Sequence, residues 1–553
     1  MTQETPKKSV ISNRVLEEHT PKSEIDALVK IVKTTGFVDD MIDGIYLALL
    51  AICILACIFA AVLAPSLHEI FPSLMYVYYF FTAIPQFCLN LPSTIASIPS
   101  IISSIPSVIT NIISPLPETP GFIQPFLATF AYKKWIIVFS CCAYIWETYL
   151  DIRQRDKLHE VDRPVKIRNL VTRKAFLEAN SYGLDKSTLK FIQSFIEQVK
   201  VVYVLSYDVL PMIWYVIGNV METKMGFGSE YEITHSILFF IATTLINSVL
   251  NVPFDLYGTF VVEEKHGFNK QTISLYLSDF FKTFALTASF GSLILSGLLW
   301  TIKRTGSSFY YYVMIFMMLV QLIGLTIFPT FIQPLFNKFT PLEEGELKTA
   351  IEALASRVDF PLKKLYVVDG SKRSSHSNAY MYGFFKNKRI VLFDTLIKQT
   401  NLQEVCAILA HELGHWKMNH VIRMLVVGQV QIFVIFYLFS LVIGQQKMYS
   451  DFGFTSQPVF IGFMIYQYLY QPVDSVLTYY FNKLSRKHEF EADEFSKKLG
   501  YGEHLVEGLI KIHLENKGNL NPDKLYSSYH YSHPPLVERL TALDDPNVSP
   551  KTE

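Results

Sequence analysis

Two histidines four residues apart, with a glutamate directly after the first, stand in NLQEVCAILAHELGHWKMNH (401–420). Val405, Ile408, Leu409 and Leu413 recur at helical spacing, which predicts a helix there. On that helix His411 and His415 lie one turn apart on one face, so both imidazoles reach a single cation. Glu412 is then placed to take a proton from water at that cation, which is the chemistry of metal-assisted hydrolysis. A catalytic zinc takes three protein ligands and keeps one position open, so the third ligand is expected on another element. Glu489 in SRKHEFEADEF (485–495), on a helix just beyond the last apolar stretch, is the best candidate, with Glu491 and Glu494 as rivals that spacing does not exclude. Asp493 lies one turn after Glu489 and Arg486 about one turn before, and either could orient a ligand from behind. Gly414, between the two histidines, permits a close backbone approach.

Two further blocks could serve the same reaction. In LYVVDGSKRSSHSNAYMYGFFKNKRIVLFDTL (365–396), LYVV and RIVLF are rich in β-formers and KNK reads as a turn. A small sheet is therefore expected before the zinc helix, and an exposed edge over His376–Tyr382 could hold an extended peptide by strand addition. In YHYSHPPLVERL (529–540), His533 precedes two prolines and Arg539 sits one or two turns into a helix. Converging on a cleft, the two could stabilise the oxyanion of a tetrahedral intermediate.

The elements that must position these residues are set in a membrane. Half of the 553 residues are hydrophobic, only 18% are charged, and mean hydropathy is +0.27, which excludes disorder. Lys plus Arg equals Asp plus Glu at 49 each, so no basic field marks a nucleic-acid partner. The apolar residues cluster into eight stretches of near-spanning length: 44–64, 134–150, 201–220, 236–254, 283–302, 308–332, 424–444 and 458–481. Lys and Arg are dense in 151–200 and 333–423 and sparse in 221–235 and 445–457. By this alternation both termini, 151–200, 255–282, 333–423 and 482–553 face the cytosol. The six cysteines read as small buried hydrophobes, with no C-x-x-C pair. The polar N-terminal stretch is not a secretory signal, although 24–43 could form a short helix. SIPS at 97–100 and 104–107 is too brief an echo for a repeat architecture, and the closing SPKTE carries no retention signal.

In their order among the spans, AHELGHWKMNH, HSNAYMYGFFKNKRIVLFDTL, SRKHEFEAD, FVVEEKHGFN (260–269) and YSHPPLVERL resemble the zinc-dependent CAAX prenyl endopeptidase family. The resemblance runs from about Tyr132 to about residue 545. It implies an all-α polytopic membrane protein with a small α+β zinc-protease domain, in which a ring of transmembrane helices encloses a large chamber. It further implies one catalytic Zn2+ held by His411, His415 and Glu489, with Glu412 as the catalytic carboxylate and Asp493 as proton donor or orienting group. Asn378, Ala379 and Tyr380 fall on the substrate-binding strand, and His533 and Arg539 on the pair that contacts the substrate carbonyl. The implied substrates are farnesylated or geranylgeranylated CAAX proteins that lose their last three residues, with a second upstream cut in some farnesylated precursors. The implied location is the endoplasmic reticulum membrane, and in animals also the inner nuclear membrane. The expected organisation is a tail (1–43), an extension with an extra span (44–131), the family's membrane helices (132–336), the first protease segment (337–423), a membrane hairpin (424–481) and the second protease segment (482–553). Residues before about 131 have no counterpart in the resemblance. Two other readings compete: a membrane quality-control protease with the same site and no prenyl requirement, and a transporter or scaffold that binds no zinc.

Overall fold

The computed structural model describes residues 127–383 and 387–544. The N-terminal tail with its possible helix over 24–43, the 44–64 span and the SIPS echo lie outside the described residues.

Long apolar helices come first. They are α1 (Tyr132–Leu158), α2 (Arg173–Ser206), α3 (Val209–Val220), α4 (Glu232–Tyr257), α5 (Ile273–Thr305) and α6 (Phe309–Ile327). The hydroxyls of Thr172 and Thr272 start α2 and α5 by accepting from the N–H groups of Ala175 and Leu275. Among the described residues, Tyr132–Leu158, Ser229–Glu263, Ile273–Leu335 and His420–Val442 are long and apolar enough to cross a membrane, and Ile273–Leu335 comprises α5 and α6. Leu293, Phe281 and Trp300 on α5 stay exposed, as side chains facing hydrocarbon do. An open cavity of about 760 Å³ between α2, α4 and α5 carries polar groups that include Lys190, Asn251, Asp255 and Asp279. Polar groups at this depth face a cavity rather than lipid.

Three expectations about the spans change. The stretch 201–220 is not one straight helix: α2 and α3 meet at a 64° bend, where Asp208 adopts φ 53° and its carboxylate lies 2.7 Å from Lys133 Nζ. Pro211 lacks the N–H that would continue the ladder of α2 across this joint. The short 134–150 stretch is the centre of a 27-residue helix. The last span and the acidic helix after it are a single element, which comes below as α11.

The second half of the chain wraps a small sheet. After β1 (Phe339–Pro341) and α7 (Glu346–Arg357) come β2 (Leu362–Val368), β3 (Ala379–Tyr382), β4 (Lys388–Phe393) and α8 (Asp394–Gln399). The sheet order is β1-β2-β4-β3. LYVV and RIVLF pair in parallel, Leu365 opposite Ile390, while AYMY pairs antiparallel with KRIVLF, Tyr380 opposite Val391. KNK lies in sequence between β3 and β4, its last residue, Lys388, opening β4, and β3 is left as an edge strand. Then follow α9 (Leu402–Lys417), α10 (His420–Val442), α11 (Val459–Ser496), α12 (Gly502–Glu515), α13 (Lys524–His530) and α14 (Leu536–Asp544).

Aromatic side chains lock α10 to α11: Phe436 and Phe463 stack at 5.2 Å, and Tyr466 donates to the carbonyl of Ile435. α11 has 38 residues, about 57 Å at a rise of roughly 1.5 Å per residue. Its first residue, Val459, donates its N–H to Glu232, which also pairs with Lys303, while Tyr215 contacts Thr455. These contacts gather the ends of α3, α4, α5 and α11 at one pole. Glu489 lies thirty residues further along α11, about 45 Å away, which exceeds the roughly 30 Å hydrocarbon core. Epitopes inserted at 455–457 and at 517–519 are accordingly expected on opposite membrane faces in a selective-permeabilisation assay. Equal accessibility from one face would contradict this arrangement.

Candidate active site

The helix that carries the histidine pair is held at its start and on two faces. Asn401 caps it, its side chain accepting from Glu404 N–H while the Glu404 carboxylate accepts from Asn401 N–H. Lys511 Nζ sits 2.8 Å from the same carboxylate and ties α9 to α12. Val405, Leu409 and Leu413 pack into the core of the sheet with Ile390 and Leu392. Ala407 faces Leu505, Leu509, Leu536 and Leu540 from α12 and α14. Toward α11 the approach is closest at Gly414, where an added Cβ would stand 3.1 Å from Ala492 Cα and 3.1 Å from Phe495 Cβ. Ser496 Oγ donates to the carbonyl of Ala407 across the same contact.

This approach brings three donor atoms together. The Nε2 atoms of His411 and His415 are 3.2 Å apart, and they lie 3.5 and 3.3 Å from the two oxygens of Glu489. Ligands at about 2.0–2.1 Å in tetrahedral array around one zinc would be separated by about 3.3–3.4 Å, so the cluster fits such an ion. Protons are disposed in the same sense. His411 Nδ1 faces Asp493 at 2.8 Å and His415 Nδ1 faces His420 at 2.9 Å, which leaves both Nε2 lone pairs pointing at each other. Glu489 Oε2 is buried without a hydrogen-bond partner. A buried carboxylate oxygen and two facing lone pairs are costly unless a proton or a metal cation lies among them.

Asp493 and Arg539 stand behind His411. Arg539 donates from Nε and Nη2 to the two oxygens of Asp493, at 2.8 and 2.5 Å, and its Nη1 is 3.6 Å from Glu489 Oε2. Burial alone would raise the Asp493 pKa, but Arg539 and the hydrogen bond from His411 lower it and keep the carboxylate charged. Burial likewise would raise Glu489, yet His411 and His415 hold it far below the usual carboxylate range. Burial would lower His411; Asp493 and Glu489 outweigh it and push the imidazole up to about 9. His533 is two-thirds exposed, with Nε2 3.3 Å from Glu489 Oε1, at the mouth of the site. Glu412 is half-buried beside the pair. Of the rival acids, Glu491 turns to His420 and Glu494 to Lys498, while Arg486 acts on Glu538 rather than on a ligand.

The edge strand is fixed from the membrane side. Asn378 is exposed, with its carbonyl accepting from Phe393 N–H, and the Tyr380 hydroxyl donates to Gln333 just after α6. Upstream, Ser375 N–H donates to the carbonyl of Phe268 and Lys270 N–H to that of Arg373. His376 stacks on Phe268 at 4.2 Å, lies 3.5 Å from Glu263, and meets Asn516 through Nδ1 at 3.2 Å. The block FVVEEKHGFN, which enters the sequence reading only through the resemblance, is thus a clamp on the segment leading into β3. Neither His420 nor His488 is singled out by the sequence; the third histidine of AHELGHWKMNH and the histidine directly before Glu489 are their signals.

Comparison with known proteins follows this geometry. Residues 154–338 match the family description "CAAX prenyl protease N-terminal, five membrane helices", and residues 341–547 match "Peptidase family M48". The chain is 45% identical over 415 residues to the CAAX prenyl protease 1 homolog of Oryza sativa subsp. japonica, covering 75% of this chain and 97% of the relative. It is 38% identical over 431 residues to CAAX prenyl protease 1 of Saccharomyces cerevisiae, covering 75% and 95%. The crystal structure of S. mikatae Ste24p superposes with a TM-score of 0.72 at 39% identity, covering 75% of this chain and all of that one.

Two expectations follow from the packing and charge of the site. Gly414→Ala forces α9 from α11, with an overpacking cost of about 1–3 kcal/mol, and lowers both the melting temperature and zinc retention. Wild-type values for both would place the close contact elsewhere. In metal-free protein His411 is raised from the ordinary value of about 6.5, so its stabilisation is complete below about 6.5 and is lost as pH rises through about 9. Metal binding displaces that proton, so apparent zinc affinity gains about tenfold per pH unit and levels off near 9. Zinc titrations from pH 6 to 10 that show no slope would contradict it.

Proposed function

The chain belongs to peptidase family M48, among its membrane-embedded CAAX prenyl proteases, and we propose that it cleaves after the prenylated cysteine of C-terminal CAAX sequences. The observation that carries this reading is the convergence of His411, His415 and Glu489 within 3.5 Å of one another, with a buried Glu489 oxygen lacking a partner. A zinc ion held by these three side chains would polarise the scissile carbonyl and make a water molecule more acidic.

Glu412 accepts the proton of the attacking water and passes it to the leaving amine. Asp493 acts as an orienting group rather than a proton donor, because its two oxygens are occupied by His411 and by the Arg539 fork. Arg539 keeps only Nη1 for the substrate. Removing it would take the guanidinium away from the buried Asp493 and leave only His411 beside that carboxylate, a cost of about 3–5 kcal/mol, which outweighs a single oxyanion contact. His533, at the open mouth, is therefore the cleaner oxyanion donor, contributing about 10²–10³-fold. The substrate lies extended along Asn378, Ala379 and Tyr380, where the free side of β3 offers backbone hydrogen bonds. The cavity between the membrane helices receives the prenyl-bearing end, farnesyl or geranylgeranyl. A second upstream cut in a farnesylated precursor uses the same site.

Segments 337–423 and 482–553 form the protease part on the cytosolic face of the endoplasmic reticulum membrane, a side supported by the Lys and Arg pattern. The purified full-length protein is expected to release the tripeptide from a farnesylated CAAX peptide, to lose activity with a chelator, and to lose it in Glu412→Ala with zinc still bound. His533→Ala is expected to lower kcat about 10²–10³-fold with zinc retained. Equal turnover of the unmodified twin peptide would refute the prenyl requirement, and substantial turnover by Glu412→Ala would remove Glu412 as the base.

A further inference from the structure

On the Nδ1 side of His415 lies a second cluster, His420, His488 and Glu491, whose ligand-type atoms lie within 4.8 Å of one another. A second metal site is the first reading of such a set, and its geometry argues against it. The rings of His420 and His488 stack at 4.0 Å with only 8° between their planes. Imidazole lone pairs lie in the ring plane, so two parallel rings cannot both aim at one ion. Both nitrogens of His420 are also engaged already, Nδ1 with His415 Nδ1 at 2.9 Å and Nε2 with Glu491 Oε2 at 2.9 Å.

Proton bookkeeping then leaves one arrangement. His415 turns Nε2 toward His411 and Glu489, so its proton is on Nδ1 and is donated to His420. His420 accepts at Nδ1, so its own proton is on Nε2 and is donated to Glu491. Arg423 Nη1 lies 3.5 Å from the same oxygen. The chain reversal is local: Asn419, at φ 57°, ends α9 and swings His420, the buried first residue of α10, back over His415. His411 gets its carboxylate directly from Asp493, whereas His415 gets one through an intervening imidazole.

We propose that His420 is a positioning residue for His415, fixing its tautomer and ring plane through a hydrogen bond that Glu491 anchors from the far side. This rests on His411, His415 and Glu489 being the zinc ligands. The test measures zinc content and zinc retention against a chelator series in the full-length, detergent-solubilised protein. Wild type, His420→Phe, His420→Asn, Glu491→Gln and His488→Phe are compared, with the thermal transition of each metal-free form. His420→Phe is expected to lose about 10–100-fold in zinc affinity. His420→Asn, which keeps an acceptor near the Nδ1 position, is expected to recover most of that loss, and Glu491→Gln to fall between. His488→Phe keeps the stack and stays at the wild-type value. Unchanged affinity in His420→Phe, no recovery in His420→Asn, or a loss in His488→Phe would overturn the proposal. Should His420→Phe fail to fold, the partly exposed Glu491 carries the test, and wild-type affinity in Glu491→Gln overturns it. Wild-type protein that binds no zinc at all is a different failure, that of the ligand assignment.

Discussion

The site is built on three donor atoms, His411 Nε2, His415 Nε2 and a Glu489 oxygen, brought so close that a positive charge must sit among them, a proton on His411 when no metal is bound. His411, His415 and Glu489 come from two helices, and the distance between those helices at Gly414 and Ala492 decides whether the donors meet. Burial makes the convergence expensive, and the surrounding charges answer that cost in opposite ways. Asp493 with its Arg539 fork steadies His411, while the His420–Glu491 pair steadies His415. Both histidines thereby present Nε2 inward in a fixed plane, which an exposed, freely rotating imidazole would not do.

The second constraint is mechanical. Glu489 is delivered by a helix that begins at the opposite pole, where Phe436 and Phe463 stack and Tyr466 bonds to Ile435 to join α10 to α11. α11 runs on as one helix from Val459 to Ser496, with Pro472 inside it, so packing among apolar helices bears on the position of Glu489. The joint between α2 and α3 at Asp208 shows that this chain breaks helices elsewhere. On the other flank, the segment 263–270 grips the approach to β3 through two backbone hydrogen bonds and the Phe268–His376 stack. The helical part of the chain thus bears on both Glu489 and the approach to the edge strand.

Much of this was legible from the chain alone. The apolar runs, the helix over 401–417, the four-residue histidine spacing and the sheet before it all follow from periodicities of two to four residues, which are local properties. Where the sequence reading fell short, the missing term was an angle between elements. LYVV and RIVLF have the composition of neighbours in a hairpin, yet they pair in parallel because AYMY intervenes at the edge. The 201–220 run has the hydropathy of one span, yet it bends at Asp208, where a salt bridge to Lys133 compensates the break.

By itself, then, the sequence determined that two imidazoles share a helix face, that an acidic helix follows the last apolar stretch, and that several apolar stretches are long enough to span a membrane. Tertiary structure alone decided which of Glu489, Glu491 and Glu494 faces the pair, that Arg539 is spent mainly on Asp493, and that His420 lies behind His415. Those choices turn on the rotation of α11 about its own axis and on its crossing of α9. A rotation of about 100° per residue separates one acid from the next, and no residue spacing within a single helix encodes it.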